Sequence, residues 1–421
     1  MTGTQKYDAV VIGGGPAGST AAAVLAGHGR KVVVLEKDRF PRYHIGESLM
    51  PYCYFPLERI GVIEKIKASN FPQKYSVQFV STMGKVSQPF YFFQHMEHEA
   101  STTWQVVRSE FDQMLLNNAR EKGAEVREET KVVEILRENG AVVGVRAEHH
   151  GHEETFRAPM TLDASGRDAL AVARNGWRVP DPQLKKIAIW TYYRGALRDP
   201  GLDAGATTVA YLPDKGWFWY IPLSDDVVSV GVVAEREYLF DEGRDLATVF
   251  QREAQKNPWV SEHLAPGQQF GRYWTTSEYS YRSRYCGEDG LVLVGDAFAF
   301  LDPVFSSGVF LALRSGELAG DLVHAALSDG DVSAARFQGY GEQICGGIEA
   351  MRNLVYAFYD QEFSFRELFQ RYPDVRPDLT DCLIGHLFRD FQDLFSRVGE
   401  FAQLPAPLPH GRAPAPCASS S

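Results

Sequence analysis

Four groups of residues in this chain could do chemistry, and each points to a different task. Gly13, Gly15 and Gly18 fall in G-x-G-x-x-G spacing, and Glu36 follows about 20 residues on. Glycines so placed permit a tight turn, let the backbone approach a pyrophosphate and let a helix pack close to a strand. A carboxylate at the Glu36 position can accept from a ribose hydroxyl. This group predicts a bound adenine dinucleotide. Asp296 is the second, in Gly295-Asp296-Ala297 directly after an apolar run, where a carboxylate can reach a ribityl or ribose hydroxyl. Ser307 and Gly308 form the third: they open a helical stretch, whose free amides can hold an anion. Trp217 and Trp219 are the fourth. Two apart in a strand, their indoles share one face and make a rigid apolar wall against water and bulky ligands. A serine-glycine cap and a pair of core tryptophans are the plainer readings of the last two. Lys74 follows a Pro-Gln pair and on its own reads as a surface charge. No Ser-His-Asp set stands out, and nothing has metal-ligand spacing.

The elements that must place these groups follow from periodicity and turn residues. A buried strand over 9–12, the glycine turn, an Ala- and Leu-rich helix and a strand over 31–35 make one nucleotide-binding unit. A loop then leads to a helix over 51–67, and 70–80 alternates into a strand. The aromatic and polar stretch 88–103 reads as a strand pair or a loop lining a pocket. Phe111, Leu115, Leu116 and Ala119 give 109–122 helical spacing, stopped by Gly123. Strands are predicted over 125–136, with a break, and 141–148. The runs 186–197, 207–212, 217–223 and 227–235 read as consecutive strands of a mainly antiparallel sheet. Helices are predicted over 245–257, 309–327, 332–369 and 379–401, with a short apolar strand over 290–294. The tail from 404 is low in complexity and reads as disordered. A second strand-glycine-acid junction near 295 implies a discontinuous cofactor lobe with a sheet lobe inserted. No second G-x-G-x-x-G offers a nicotinamide site.

Composition narrows the partners. The net charge is -11 and the pI about 5.5, which argues against nucleic acid and anionic membranes. Hydrophobic residues make up 44% and charged residues 23%, as in ordinary soluble domains. The apolar run 9–27 is broken by glycines and Pro16, so it reads as strand, turn and helix, not as a leader or a membrane span. Five scattered cysteines, Cys53, Cys286, Cys345, Cys382 and Cys417, fit a reducing compartment and no zinc site. A cytoplasmic location is expected.

Five motifs come in order: GGGPAG at 13–18, GESL at 46–49, DASG at 163–166, WFWYIP at 217–222, and GDA at 295–297 running into FLDPVFSSG at 300–308. With them the chain resembles the flavoprotein monooxygenase superfamily, in its branch of flavin-dependent halogenases of phenol or pyrrole type. Trp217, Trp219, Ile221 and Pro222 fill the W-x-W-x-I-P signature. Phe300, Pro303, Ser306 and Gly308 fill the pattern F-x-x-P-x-x-S-x-G. The resemblance implies that Pro16, Ala17, Glu47, Ser48, Arg108 and Pro303 join the glycines, Glu36, Asp296 and Gly308 at FAD. It makes the anion at Ser307 and Gly308 a chloride or bromide. It places Lys74 on the path from flavin to substrate, where an ammonium aims hypohalous acid and sharpens it as an electrophile, or forms a haloamine. Two departures stand out. Ser76 replaces a glycine common two residues after that lysine. Phe305 occupies the place where tryptophan halogenases carry a glutamate that helps activate an indole, which favours an electron-rich phenol or pyrrole.

The expected fold is α/β: a Rossmann-like FAD-binding lobe (5–180 and 270–330), an inserted mainly antiparallel substrate lobe (70–105 and 181–269), a helical C-terminal region (331–403) and a disordered tail (404–421). By resemblance, FADH2 comes from a separate flavin reductase. It reacts with dioxygen to a C4a-hydroperoxide, and halide takes the distal oxygen. Hypohalous acid passes the tryptophans to Lys74, where it halogenates a small aromatic substrate, free or carried on an acyl carrier protein. Trp217, Trp219, Lys74 and Ser306 are the expected catalytic set. Tyr356, Phe358, Tyr359 and Phe363 read as pocket liners or core. Alternatives are a flavin-dependent aromatic hydroxylase and an isoprenoid reductase of the geranylgeranyl-reductase kind.

Overall fold

The computed structural model describes residues 4–213 and 216–414. Strand β1 (Ala9–Ile12), helix α1 (Pro16–Gly27) and strand β2 (Val32–Leu35) form the opening unit. Later come β3 (Ser76–Val80), α2 (Arg108–Glu121), β4 (Glu125–Arg127) and β5 (Met160–Asp163). The middle of the chain supplies β6 (Arg178–Arg194), β7 (Thr207–Tyr211), β8 (Trp217–Pro222), β9 (Val227–Glu235) and β10 (Gln268–Ser283). It closes with β11 (Leu291–Leu293), α3 (Ser307–Asp329) and α4 (Gln338–Tyr359).

Two sheets carry the architecture. In the first, β11, β5, β1, β2 and β4 lie side by side in parallel. β1 and β2 are buried along their whole length, as continuous Val and Ile runs require when both faces are covered. The second has eight strands, with β10, β6, β9, β8, β7 and β3 in its middle. Its pairs are antiparallel except β7 with β3. The α/β class, the cofactor unit and the antiparallel sheet agree with the sequence reading.

Several boundaries differ. β10 was not anticipated. Its sequence is polar and lacks an apolar face, and pairing with β6 from Arg178↔Ser283 to Arg194↔Gln268 is what holds it. It belongs to the eight-stranded sheet, so the cofactor lobe does not resume at 270. β6 starts earlier than expected because a register shift absorbs the prolines after Val179. The helix expected over 51–67 breaks at Gly61, whose φ is +79°. The aromatic stretch 332–369 is likewise two helices, α4 and Phe365–Arg371, and 379–401 becomes Arg376–Ile384 and Gln392–Val398.

The tail is also corrected as far as it is described. Arg352 Nη1 donates to Ala406 O at 3.0 Å, Cys286 N to Arg412 O at 3.1 Å and Gly411 N to Arg284 O at 3.0 Å. The buried Arg352 side chain and main-chain bonds to 284–286 thus hold a proline-rich strap over 404–414; residues 415–421 lie outside the described residues.

Candidate active site

One cavity of about 550 Å³ lies where the two sheets meet. The end of β1 delivers the glycine turn to it. Gly13 has φ +98°, and a Cβ there would stand 2.5 Å from Ala164 O; one on Gly18 would stand 2.0 Å from Gly13 O. These positions are closed to any side chain. Gly15 turns its open side to the cavity, with only Arg42 Nη2 within 3.4 Å of where a Cβ would sit. Glu36 is buried at the end of β2; its Oε2 accepts from Gly14 N at 2.7 Å and its Oε1 from Asp38 N at 2.8 Å. It therefore shapes the turn and also lines the cavity. Pro16 and Ala17 line it as well. A glycine cradle, a helix N-terminus and an acid on one wall fit an adenine dinucleotide.

Farther along, Arg108, Asp296, Pro303 and Gly308 share the wall. Arg108 is buried and makes a twofold pair with Asp112, at 2.8 and 3.0 Å, while Nη1 donates to Ile45 O and Gly46 O. It fixes the loop that carries Glu47 and Ser48. Burial pushes the Asp296 carboxyl up to about 6, against the pull of Arg167 and Arg108. Ser306 sits in the left-handed region at φ +57° and lines the cavity. Ser307, at the head of α3, is buried and does not reach the wall.

Trp217 and Trp219 both face the cavity from β8, with ring centroids 6.2 Å apart. Each is anchored. Trp217 Nε1 donates to Tyr359 Oη at 2.8 Å, and Tyr359 donates to Asp302 Oδ2 at 2.9 Å. Trp219 Nε1 donates to Ser229 Oγ at 3.1 Å. Asp302, pushed up to about 6 by burial, caps Val304 N at 3.1 Å. The F-x-x-P-x-x-S-x-G loop and α4 thus hold the first indole in place. Trp190 and Trp274 extend the wall, which the sequence reading missed. Trp190 and Tyr192 were legible only as strand residues, and Trp274 lies on the unanticipated β10.

Lys74 does not line this cavity. It borders a second, of about 30 Å³, with Met50, Val77, Phe79, Phe90, Phe305 and Leu383. Thr207, Val304 and Ser306 border both spaces. Lys74 is 2% exposed and has no carboxylate partner among the described residues. Nζ donates to Ser48 Oγ at 2.8 Å and Leu49 O at 3.0 Å, and it lies 5.5 Å from the Phe92 ring centroid. Burial pulls its pKa down to about 7. The lysine that read as a surface charge is therefore inside. Phe305 and Phe358 meet edge to face at 5.8 Å, and Phe358 packs on Trp217. Tyr356 instead donates to Asp181 at 2.6 Å. None of the four aromatics of 356–363 borders either cavity. His44, pulled down to about 4 by burial and nearby Arg108, contacts Ile45 O. Asp163 accepts from Ser165 N and Ala171 N, as a turn residue does.

A small chamber bordered by one buried amine thus lies beside a cavity that fits a dinucleotide and is walled by indoles. The chain belongs to the family described as Tryptophan halogenase, whose profile matches residues 8–103 and 82–367. It is an oxidoreductase of the flavin-dependent halogenase class. Two relatives are each 31% identical. One is a 1H-pyrrole-2-carbonyl-[peptidyl-carrier protein] chlorinase of Pseudomonas fluorescens, matched over 91% of this chain and 90% of that one. The other is the corresponding brominase of Pseudoalteromonas luteoviolacea, matched over 92% and 94%. The structure of the flavin-dependent brominase Bmp2 superposes with a TM-score of 0.86 at 29% identity, covering 94% of this chain and 98% of that one. No helix among the described residues is long and apolar enough to cross a membrane.

Proposed function

We propose that this enzyme chlorinates or brominates a pyrrole ring carried on a peptidyl-carrier protein, with FADH2 from a separate flavin reductase, in the cytoplasm. The observation that carries the reading is Lys74, a buried amine with no counter-ion among the described residues, bordering a space beside the cofactor cavity. Bound FADH2 would supply the reduction of dioxygen and the oxidation of halide to hypohalous acid. The protein's residues do the rest. Gly13, Gly15 and Gly18, with Glu36, Arg108 and Asp296, bind and orient. Trp217 and Trp219 keep an aromatic ring away from the cofactor, which disfavours direct hydroxylation. Gly308, at the start of α3, offers amides for halide. Lys74 donates to hypohalous acid and raises its electrophilicity. Two of its three N–H groups are already used on Ser48 and Leu49, so one remains to aim the electrophile.

The lining of the small chamber supports an electron-rich substrate. Phe79, Phe90 and Phe305 line the small chamber and supply no carboxylate to help a ring react. A pyrrole, already electron-rich, needs none. The relatives' printed substrates support the carrier-borne form. The test is to incubate the enzyme with FADH2, bromide or chloride, and pyrrolyl-loaded carrier protein, then weigh the product. A mass gain of one halogen supports the reading. Hydroxylated product, unchanged when halide is withheld, overturns it.

A further inference from the structure

Glu47 is buried on the wall of the large cavity, yet only one of its oxygens is engaged. Oε1 accepts from Tyr192 Oη at 2.9 Å. Oε2 meets no aligned hydrogen-bond partner; Ser229, which accepts the Trp219 indole proton, lies close enough to pull on the carboxyl. Tyr192 Oη is in turn 2.9 Å from Tyr43 Oη, and Tyr43 accepts from Trp190 Nε1 at 2.6 Å. The polarity of this chain is fixed at both ends. An indole only donates, and Glu47 accepts at Oε1 from Tyr192. Tyr192 spends its proton on Glu47, so its oxygen takes the proton of Tyr43. Tyr43 is 41% exposed, and its ring stacks on Trp274 at 4.1 Å.

We propose that Tyr43 and Tyr192 relay protons from solvent to Glu47, which delivers them into the cofactor cavity. The proposal rests on the halogenase reading, whose mass balance calls for it. FADH2, dioxygen, halide, a ring C–H and one proton give oxidised flavin, the halogenated ring and two waters. The step at the ring, hypohalous acid replacing hydrogen, gives one water and consumes no proton. The proton is therefore needed where hypohalous acid is made, in the cavity that Glu47 lines.

Each transfer balances. Glu47 gives its proton to the cavity it lines and takes one on Oε1 from Tyr192. Tyr192 takes one from Tyr43, and Tyr43 takes one from a solvent acid. A half-turn of the carboxyl returns a proton to the cavity side, and no electron changes hands. Burial keeps Glu47 protonated up to about 7, against the pull of Ser229, Tyr192 and Arg108. It pushes the Tyr43 phenol up to about 12, so phenolate does not accumulate and the hops are concerted. The charges facing the chain are Arg108, itself bound to Asp112, and Arg272 beside Tyr43.

The test compares FAD-bound wild type with Tyr192→Phe, Tyr43→Phe and Glu47→Gln. Infrared difference spectra across pH should show a protonated carboxyl band that Glu47→Gln abolishes and Tyr192→Phe shifts. An indicator dye in weak buffer should report proton uptake when the reduced protein meets oxygen and bromide. Both phenylalanine variants should slow uptake by about ten-fold or more at unchanged FAD affinity. Uptake at the wild-type rate in both, or a carboxyl band unmoved in Tyr192→Phe, overturns the relay. Tyr43→Phe, at a partly exposed site, keeps the test alive should Tyr192→Phe fail to fold. Tyrosine-dependent uptake without any halogenated product would sink the halogenase reading and leave the relay standing.

Discussion

Glu47 faces the large cavity and Lys74 the small one, and burial treats them as mirror images. It raises the carboxyl to about 7 and lowers the ammonium to about 7. Their neighbours differ. Glu47 leads outward through Tyr192 to the half-exposed Tyr43. Lys74 ends on Ser48, whose hydroxyl meets Thr207 at 2.8 Å, and Thr207 accepts from Gln105 Nε2 at 2.8 Å. Glu47 and Ser48 are adjacent in sequence, so one extended turn of backbone serves both chambers. Under the proposed function, two half-reactions with different needs for protons would be separated by this hydrogen-bond wiring.

The contrast can be broken most sharply at Lys74. Lys74→Ala should lower halogenation by about a thousand-fold, read as product mass, with FAD binding retained by titration. Turnover that survives would mean the small chamber is not where the ring reacts.

Stability against pH sharpens the mirror. Glu47's raised pKa gives stability that is fully present below about 4.5 and lost as pH rises through about 7. Lys74's depressed pKa gives stability present above about 10.5 and lost as pH falls through about 7. Both costs are therefore felt near neutrality, roughly 3 and 5 kcal/mol respectively. Glu47→Gln and Lys74→Met should each raise the urea midpoint at pH 7. The first gain should fade toward pH 4.5 and the second toward pH 10.5. A gain that ignores pH would show that neither group is held as described.

The indole wall of the large cavity is next. A Cβ on Gly231 would stand 2.2 Å from Trp219 Cζ2 and 2.6 Å from Trp190 Cβ. Gly231→Ala should displace the indole at a cost of about 1–3 kcal/mol and let hypohalous acid escape. Halogenation of an added scavenger should rise as substrate halogenation falls. The smallest effect is expected from Tyr359→Phe, which strips one donor from Asp302 and one acceptor from Trp217. It should cost about 1–2 kcal/mol in denaturation and leave FAD affinity in place.

What could be read in advance follows the range of the interactions. The nucleotide unit is local: strand, turn, helix and acid fall within one short stretch, and its glycines are demanded by backbone contacts that any reader of spacing can infer. β10 was hidden because a polar strand declares itself only through its partner. Trp217 and Trp219 showed as a period-2 pair, but Trp274 and the tyrosines did not, since Tyr43 and Tyr192 are 149 residues apart. Lys74 could be placed by resemblance alone; nothing in its neighbours announced burial. Asp302 lay in full view within FLDPVFSSG and was passed over, because capping and a tyrosine from α4 give it meaning only once folded.

Leu383 belongs to the short helix Arg376–Ile384, far along the chain from the glycine unit, yet it forms part of the floor beneath Lys74. Under the proposed function, the face that meets the substrate is partly written in a segment that does not line the cofactor cavity. Variation there can retune which ring is accepted while the oxidant-generating machinery is inherited unchanged. A directed-evolution campaign aimed at new substrates would do well to begin with that helix.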